Sequence, residues 1–183
     1  MAISNELKRA IVEMPLKEKD KLLLKLIGKD DLLIEKLQFE LIEQGDTIEL
    51  RREEIRQRIN RVASMHHDTA GWMMMDMRTI SGEINQHLKV TKDKYGDVEL
   101  NLYMLNTFFQ KQPTLLKIHN TRTDSCALYI AKKTAMILKN LEKLDEDYHI
   151  EFEVAINRLL EYVYANCPKN YAKEMNIPTV WKR

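Results

Sequence analysis

The sequence predicts an all-α protein, and three observations support this fold class. Apolar residues recur every three to four positions along most of the chain, which is the period of a helix with one buried face. The 183 residues include only five Gly and four Pro, so few residues interrupt a helix. No segment alternates apolar and polar residues for long enough to predict a strand, and no Asn-Gly or Asp-Gly pair marks a hairpin turn. We expect about eight helices.

The N-terminal part of the chain predicts three of these helices. A short helix is expected over residues 4–13, and a second over 15–27 with Pro15 in its first turn. Gly28 separates the second helix from a third, which Gly45 ends.

The segment PLKEKDKLLLKLIGKDDLLIEKLQFELIEQG, residues 15–45, has a Pro near its start, two amphipathic helices and a tight GKDD turn. It resembles a HEAT-like helical hairpin. The resemblance implies a protein-binding superhelix without catalytic residues. A superhelix also needs repeated copies at a fixed period, and the sequence shows no clean second copy. Two architectures are therefore expected, a compact multi-helix bundle or a short HEAT-like superhelix.

The central residues 46–111 predict three further helices. Residues 91–97, TKDKYGD, are expected to form a polar turn before the last of them, which Pro113 ends. The first of these helices has an apolar stripe formed by Ile48, Ile55, Ile59, Val62 and His66. The second has one formed by Met73, Met77, Ile80, Ile84 and Leu88.

The C-terminal part predicts a helical hairpin over residues 123–166 and a tail over 167–183. Thr123 or Asp124 is expected to cap the long first helix of the hairpin. Because the connections are short, neighbouring helices should pack as antiparallel αα-hairpins. All parts of the chain, residues 1–183, are expected to form a single domain.

The stretch HHDTAGWMMMDMRT, residues 66–79, contains residue types that bind metals. Adjacent residues on a helix point about 100° apart, so His66 and His67 are badly placed to chelate one ion. The methionines at helical spacing are better explained as core, because Met fills irregular apolar space. We expect His66 to extend the apolar stripe before it and Trp72 to cover the end of the core.

Carboxylates raise the alternative of an enzyme. The Glu40-x-x-Glu43 pair with Glu49 and Glu53 partly resembles the Mg²⁺-binding motifs of helical nucleotide pyrophosphatases, but the second ExxD motif is absent. One ExxH motif, at Glu146, is too few for a di-iron bundle. No Walker loop, GxGxxG, HExxH, GxSxG or CxxC motif is present. The sequence therefore predicts no metal or cofactor.

Charge is unevenly distributed, although the net charge is only +1. The segment RREEIRQRINR pairs its arginines with nearby glutamates, so a solvated face is favoured over nucleic-acid binding. Residues 101–144 carry a net +5 and residues 145–166 a net −5. The two segments either pair with each other or the basic one binds an anionic ligand. The candidate site residues for such a ligand are His119, Asn120, Arg122, Asp124, Lys132 and Lys139.

Taken together, these patterns favour a protein-interaction or adaptor module over an enzyme. A Mg²⁺-dependent nucleotide or phosphate-ester hydrolase is the first alternative function, and a nucleic-acid-associated factor is the second alternative. We expect its partners to be other proteins. We also expect a cytoplasmic location, because no apolar run is long enough to span a membrane and no signal-peptide core follows the N-terminus. The oligomeric state is left open.

Overall fold

The computed structural model describes residues 3–182 and confirms the all-α prediction, because these residues form helices and connecting turns without any strand. We number the helices in chain order, and α3 continues directly into a short π-helical segment. The bounds are α1 Asn5–Glu13, α2 Leu16–Ile27, α3 Asp31–Leu37, the π-helical segment Gln38–Ile42, α4 Ile48–Ala63, α5 Ala70–Thr91, α6 Lys94–Lys111, α7 Thr121–Leu141, α8 Glu146–Ala165 and α9 Lys169–Glu174.

The chain divides into two compact units, which we describe separately. Met1–Gly45 is the N-terminal unit, and Asp46–Arg183 is the helical bundle. In neither unit does a described helix have the length and apolar character needed to cross a lipid bilayer.

The helical bundle is organised around α6. This helix contacts α4, α5, α7 and α8, while α9 packs against α7 and α8. The apolar residues of α6 therefore lie at the centre of the core, where Leu100, Leu105 and Phe108 are almost completely buried. Of the two expected architectures, this part of the chain adopts the compact multi-helix bundle.

The methionine-rich stretch forms the buried face of α5, as the sequence predicted. Met73, Met77 and Ile80 are buried, and Thr69 caps the helix by accepting a hydrogen bond from the backbone N–H of Trp72. The prediction for Trp72 was wrong, because its side chain is 61% exposed. It precedes Met73 by one residue and so points about 100° away from the buried face.

The prediction for His66, one of the two adjacent histidines, was wrong. Because α4 ends at Ala63, His66 lies beyond the helix and its side chain is 87% exposed. His67 is the buried one: its Nε2 lies 2.9 Å from Asp76 Oδ2, and its ring packs edge-on against Phe108. The apolar stripe of α4 therefore stops before His66.

Two helices in the bundle start earlier than the sequence predicted. α6 begins at Lys94, because Asp93 Oδ1 accepts a hydrogen bond from the backbone N–H of Gly96. Five of the seven residues of the expected turn over 91–97 are therefore helical, since α5 also extends to Thr91. α7 is capped by Asn120 and not by Thr123 or Asp124. The side chain of Thr123 completes a capping box with Asn120.

Both cysteines of the chain, Cys126 and Cys167, lie in the bundle as buried free thiols. Burial raises the pKa of the Cys126 thiol to about 12. Burial also raises the pKa of the Cys167 thiol, so both groups are protonated at neutral pH while the bundle is folded.

The N-terminal unit has a very different interior. Its helices α2 and α3 contact each other across the turn over residues 28–30, and the π-helical segment ends where the Gly45 N–H donates a 3.1 Å hydrogen bond to the Phe39 carbonyl. Gly45 has φ +79°, a left-handed conformation that favours glycine. Among residues 3–45, only Phe39 is buried. The unit consists of helices that have almost no core.

Candidate functional site

Four of the six predicted site residues, His119, Asn120, Arg122 and Asp124, lie at the start of α7 and make hydrogen bonds there. Asn120 Oδ1 accepts a 2.9 Å hydrogen bond from the backbone N–H of Arg122. His119 Nε2 lies 3.0 Å from Asp124 Oδ1, which also accepts a 2.6 Å hydrogen bond from the Tyr171 hydroxyl. The bond from Tyr171, more than that from His119, lowers the pKa of Asp124. These contacts fasten the N-terminus of α7 to α9.

The side chains of Arg122 and of the other two predicted residues, Lys132 and Lys139, are exposed. Lys132 follows Asp124 by eight residues, which is about 12 Å along the helix axis. The six residues are therefore spread along α7 and its preceding loop, and the anion-binding site stays a prediction.

The basic segment 101–144 is not a single exposed face, because Lys133 is buried. Its charge lies near the buried Asp97 of α6, whose carboxylate accepts 3.0 Å hydrogen bonds from the Asn140 and Asn101 amides. Burial raises the pKa of Asp97 and lowers that of Lys133. A cavity of about 150 Å³ borders this group. Its lining residues are Leu88, Lys94, Asp97, Asn140 and Lys143.

A groove between α6 and α8 combines aromatic, amide and charged side chains around a volume of about 290 Å³. We call it the α6–α8 groove. Its residues from α6 recur every three or four positions and so share one face of that helix. The lining residues are Tyr95, Glu99, Leu102, Tyr103, Asn106, Thr107 and Gln110 from α6, and Glu151, Phe152, Ala155 and Arg158 from α8.

The two walls of the groove are joined by direct contacts. Asn106 Nδ2 donates a 3.0 Å hydrogen bond to the Ala155 carbonyl, and the rings of Tyr95 and Phe152 have centroids 5.0 Å apart. Asn106 Oδ1 is buried and accepts no hydrogen bond from any described residue. A buried acceptor without a donor costs about 1–3 kcal/mol, so the Asn106 amide is only partly satisfied in the wall of the groove.

Contacts from α4 hold the α6 wall in place. Arg56 Nε donates a 2.8 Å hydrogen bond to Glu99 Oε1, and Asn60 Nδ2 donates one of 2.7 Å to the Tyr103 hydroxyl oxygen. Because that hydroxyl is an acceptor towards Asn60, its own proton remains available for a ligand. Glu99 and Tyr103 are therefore positioned before any ligand binds.

A buried ionic cluster supports the end of the groove at which Tyr95 lies. Arg52 Nε and Nη2 donate 2.6 Å and 2.7 Å hydrogen bonds to the two carboxylate oxygens of Asp93, and the guanidinium carbon lies 4.8 Å from the centre of the Tyr95 ring. His87 Nε2 is 3.0 Å from Asp93 Oδ2. Burial alone would raise the pKa of Asp93, but the contacts with His87, Arg52 and the Gly96 N–H hold it well below its usual value.

The two ends of the groove carry opposite charges. Glu151 Oε2 accepts a 2.8 Å hydrogen bond from the Tyr95 hydroxyl, and burial together with this bond raises the pKa of Tyr95 to about 12. Arg158 is exposed and lies seven residues further along α8, or about 10 Å along the helix axis. A bound segment would therefore meet a carboxylate at one end and a guanidinium at the other.

The groove was not predicted from the sequence, because Tyr95 was assigned to the turn over residues 91–97. Extending α6 back to Lys94 places Tyr95, Glu99 and Tyr103 at successive intervals of four, on one side of the helix. A regular polar and aromatic stripe on an otherwise buried helix was the available signal.

The arginines of α4 bind carboxylates, as the sequence suggested, but they also reach other helices. Arg56 contacts Glu49 and Glu53 of its own helix at 2.7 Å and 2.8 Å, in addition to Glu99 of α6. Arg52 and Arg56 are largely buried and are therefore not part of a solvated face.

Within residues 3–182, no three His, Cys, Asp or Glu side chains are grouped so that they could hold a metal ion. The Nε2 atom of His149, the histidine of the ExxH motif, lies 2.9 Å from the Leu141 carbonyl oxygen.

Comparison of the chain with protein-family models, with curated proteins and with solved structures gave no match.

Proposed function

We propose that the chain is a protein-interaction module and that the α6–α8 groove binds a peptide segment of a partner protein. The observation that carries the proposal is the groove itself, in which aromatic rings, amides and two opposite charges line one concave surface. Binding sites on proteins combine apolar walls with a few well-placed polar groups in this way.

The rigidity of the groove supports this function. Contacts from Arg56 and Asn60 fix Glu99 and Tyr103, so a ligand would not have to order these side chains. Binding is stronger when the contact residues are already positioned, because less conformational entropy is lost. Tyrosine and arginine are also the residue types that contribute most at protein interfaces.

A peptide fits the polar groups of the groove. The Tyr103 hydroxyl offers a proton that a carbonyl oxygen of a peptide backbone can accept. The charges at the two ends favour a segment with a basic side chain near Glu151 and an acidic side chain near Arg158. The two side chains would be about 10 Å apart, the distance between those two positions along α8.

The test uses matched charge reversals on α8. Glu151 and Glu153 are both exposed, but only Glu151 lines the groove, and Glu153 lies about 200° around the helix from it. The wild-type chain, Glu151→Lys and Glu153→Lys would each be purified with their partners from the producing cells and compared by quantitative mass spectrometry. We expect Glu153→Lys to keep the partners and Glu151→Lys to lose them.

The affinity of a recovered partner would then be measured with purified proteins. Glu151→Lys and Arg158→Glu should each weaken binding by about tenfold or more, because each places like charges together at one end of the groove. If both variants bind every partner as tightly as the wild type, the groove is not the binding site.

A further inference from the structure

The N-terminal unit exposes an unusual amount of apolar surface. Soluble monomers seldom expose large contiguous apolar patches, and units of this size seldom bury enough surface to be stable alone. The exposed large apolar residues of this unit are Ile3, Leu7, Val12, Leu16, Leu22, Leu23, Leu24, Leu26, Ile34, Leu41 and Ile42.

The exposed residues of α2 form a continuous face. Leu16, Leu23 and Leu26 are separated by seven and three residues, which places them on one side of the helix, and Leu16 is 71% exposed. This is the pattern of a helix that packs against another helix. Within the N-terminal unit, no helix covers this face, since all three leucines are exposed.

Charge within the unit is divided into two halves of opposite sign. Residues 3–29, which contain α1 and α2, carry seven Lys or Arg and four acidic residues, a net +3. Residues 30–45, which contain α3 and the π-helical segment, carry five acidic residues and one Lys, a net −4. The unit is therefore complementary in charge to an inverted copy of itself.

We propose that a second copy of this chain docks on the N-terminal unit, with the apolar face of each α2 against the exposed apolar residues of α3 and the π-helical segment of the other copy, so that the basic half of each copy lies against the acidic half of the other. A two-fold dimer brings each half of one copy against the opposite half of its partner in this way. An anionic membrane would attract only the basic half and repel the acidic half, so a second copy matches the charge pattern better. This proposal is independent of the α6–α8 groove.

The first test measures the mass of the full chain by sedimentation equilibrium over a range of concentrations. The wild type should be a dimer, with twice the monomer mass of 21.7 kDa. The double variant Leu16→Glu/Leu23→Glu should dimerise about 10,000-fold more weakly, because the two-fold dimer contains each leucine twice and burial of each accounts for about a tenfold change in the equilibrium constant. Val154→Glu is the matched control, since Val154 of the bundle is also 71% exposed, and it should remain a dimer.

The second test asks whether charge sets the orientation. Lys17→Glu/Lys21→Glu changes the net charge of residues 3–29 from +3 to −1, so both halves are acidic. Asp30→Asn/Asp31→Lys/Glu40→Lys changes that of residues 30–45 from −4 to +1, so both halves are basic, and asparagine keeps a cap at position 30. Each variant alone should be a monomer, whereas a mixture of the two should form heterodimers. This outcome would distinguish a defined two-fold interface from non-specific association of apolar surface.

Two results would overturn the proposal. One is a wild-type chain that is monomeric at every concentration, whether or not it also binds vesicles of phosphatidylserine and phosphatidylcholine. The other is a Leu16→Glu/Leu23→Glu chain that dimerises as strongly as the wild type while keeping its helical circular dichroism. Partner binding in the groove would be unaffected by either result.

Discussion

Leu23 in α2 and Met77 in α5 both lie on the apolar face of an amphipathic helix, yet Leu23 is 55% exposed and Met77 is fully buried. In the bundle, α5 lies against α4, α6 and α7, which cover its apolar face. In the N-terminal unit, α2 contacts only part of α3, and its leucines remain exposed to solvent. The comparison shows that helical periodicity identifies which face is apolar, but not which surface covers it.

The largest expected difference between the two regions is in hydrogen exchange. In dilute protein, the backbone amides of α6 should exchange about 1000-fold or more slowly than those of α2, because α6 opens only when the bundle unfolds. Mass spectrometry of peptic fragments measures both in one sample. Equal protection of α2 and α6 at the lowest concentration would mean that the N-terminal unit is as stable as the bundle. Protection of α2 that rises with concentration would instead support self-association.

Truncation of a side chain should lower the unfolding free energy by several kcal/mol more in the core of the bundle than at an exposed position of the N-terminal unit. Phe108→Ala removes a ring that is 2% exposed at the centre of the bundle and should lower the unfolding free energy by about 3–5 kcal/mol. Leu24→Ala, at an exposed position of α2, should change it by less than about 0.5 kcal/mol. Urea denaturation followed by circular dichroism measures both values. Similar losses in the two variants would contradict the contrast in burial.

Removal of one partner from the buried ionic cluster should have a somewhat smaller effect. Arg52→Ala leaves Asp93 charged and buried, with only His87 and the Gly96 N–H as partners, and should cost about 3 kcal/mol. Arg61→Ala, at an exposed position of the same helix, is the control and should cost less than about 0.5 kcal/mol. Thermal unfolding distinguishes the two.

The smallest expected effect is a dependence of this cluster on pH. The pKa of Asp93 is lowered in the folded bundle, so its contribution to stability is present at neutral pH and is lost as the pH falls below about 4, the pKa of an unfolded aspartate. Asp93→Asn should therefore be less stable than the wild type at pH 7, and the difference should narrow towards pH 3. Urea denaturation at several pH values measures this difference. A constant difference would mean that the charge of Asp93 is not what stabilises the cluster.

How much could be predicted from the sequence depended on the distance between interacting residues. The stripe of Met73, Met77 and Ile80 was predicted correctly because it lies within one helix. The start of α6 was misplaced because Asp93, Lys94 and Gly96 are common in turns, and the partner that stabilises this cap, Arg52, is 41 residues away.

The α6–α8 groove shows the same limit more strongly. Tyr95 and Glu151 are 56 residues apart in sequence and meet only because α6 and α8 pack together. A single sequence contains no signal for that pairing. The local cluster at His119 and Asp124 was found because those residues are only five apart, but its contacts fasten α7 in place and do not by themselves form a pocket.

The location of the cysteines has a practical consequence. Both thiols lie within the bundle, and the N-terminal unit has none. A maleimide dye added to the native chain would therefore react only with molecules whose bundle has opened, whatever the state of α1–α3. The labelling rate would measure how often the bundle opens, independently of the N-terminal unit and without any engineered probe.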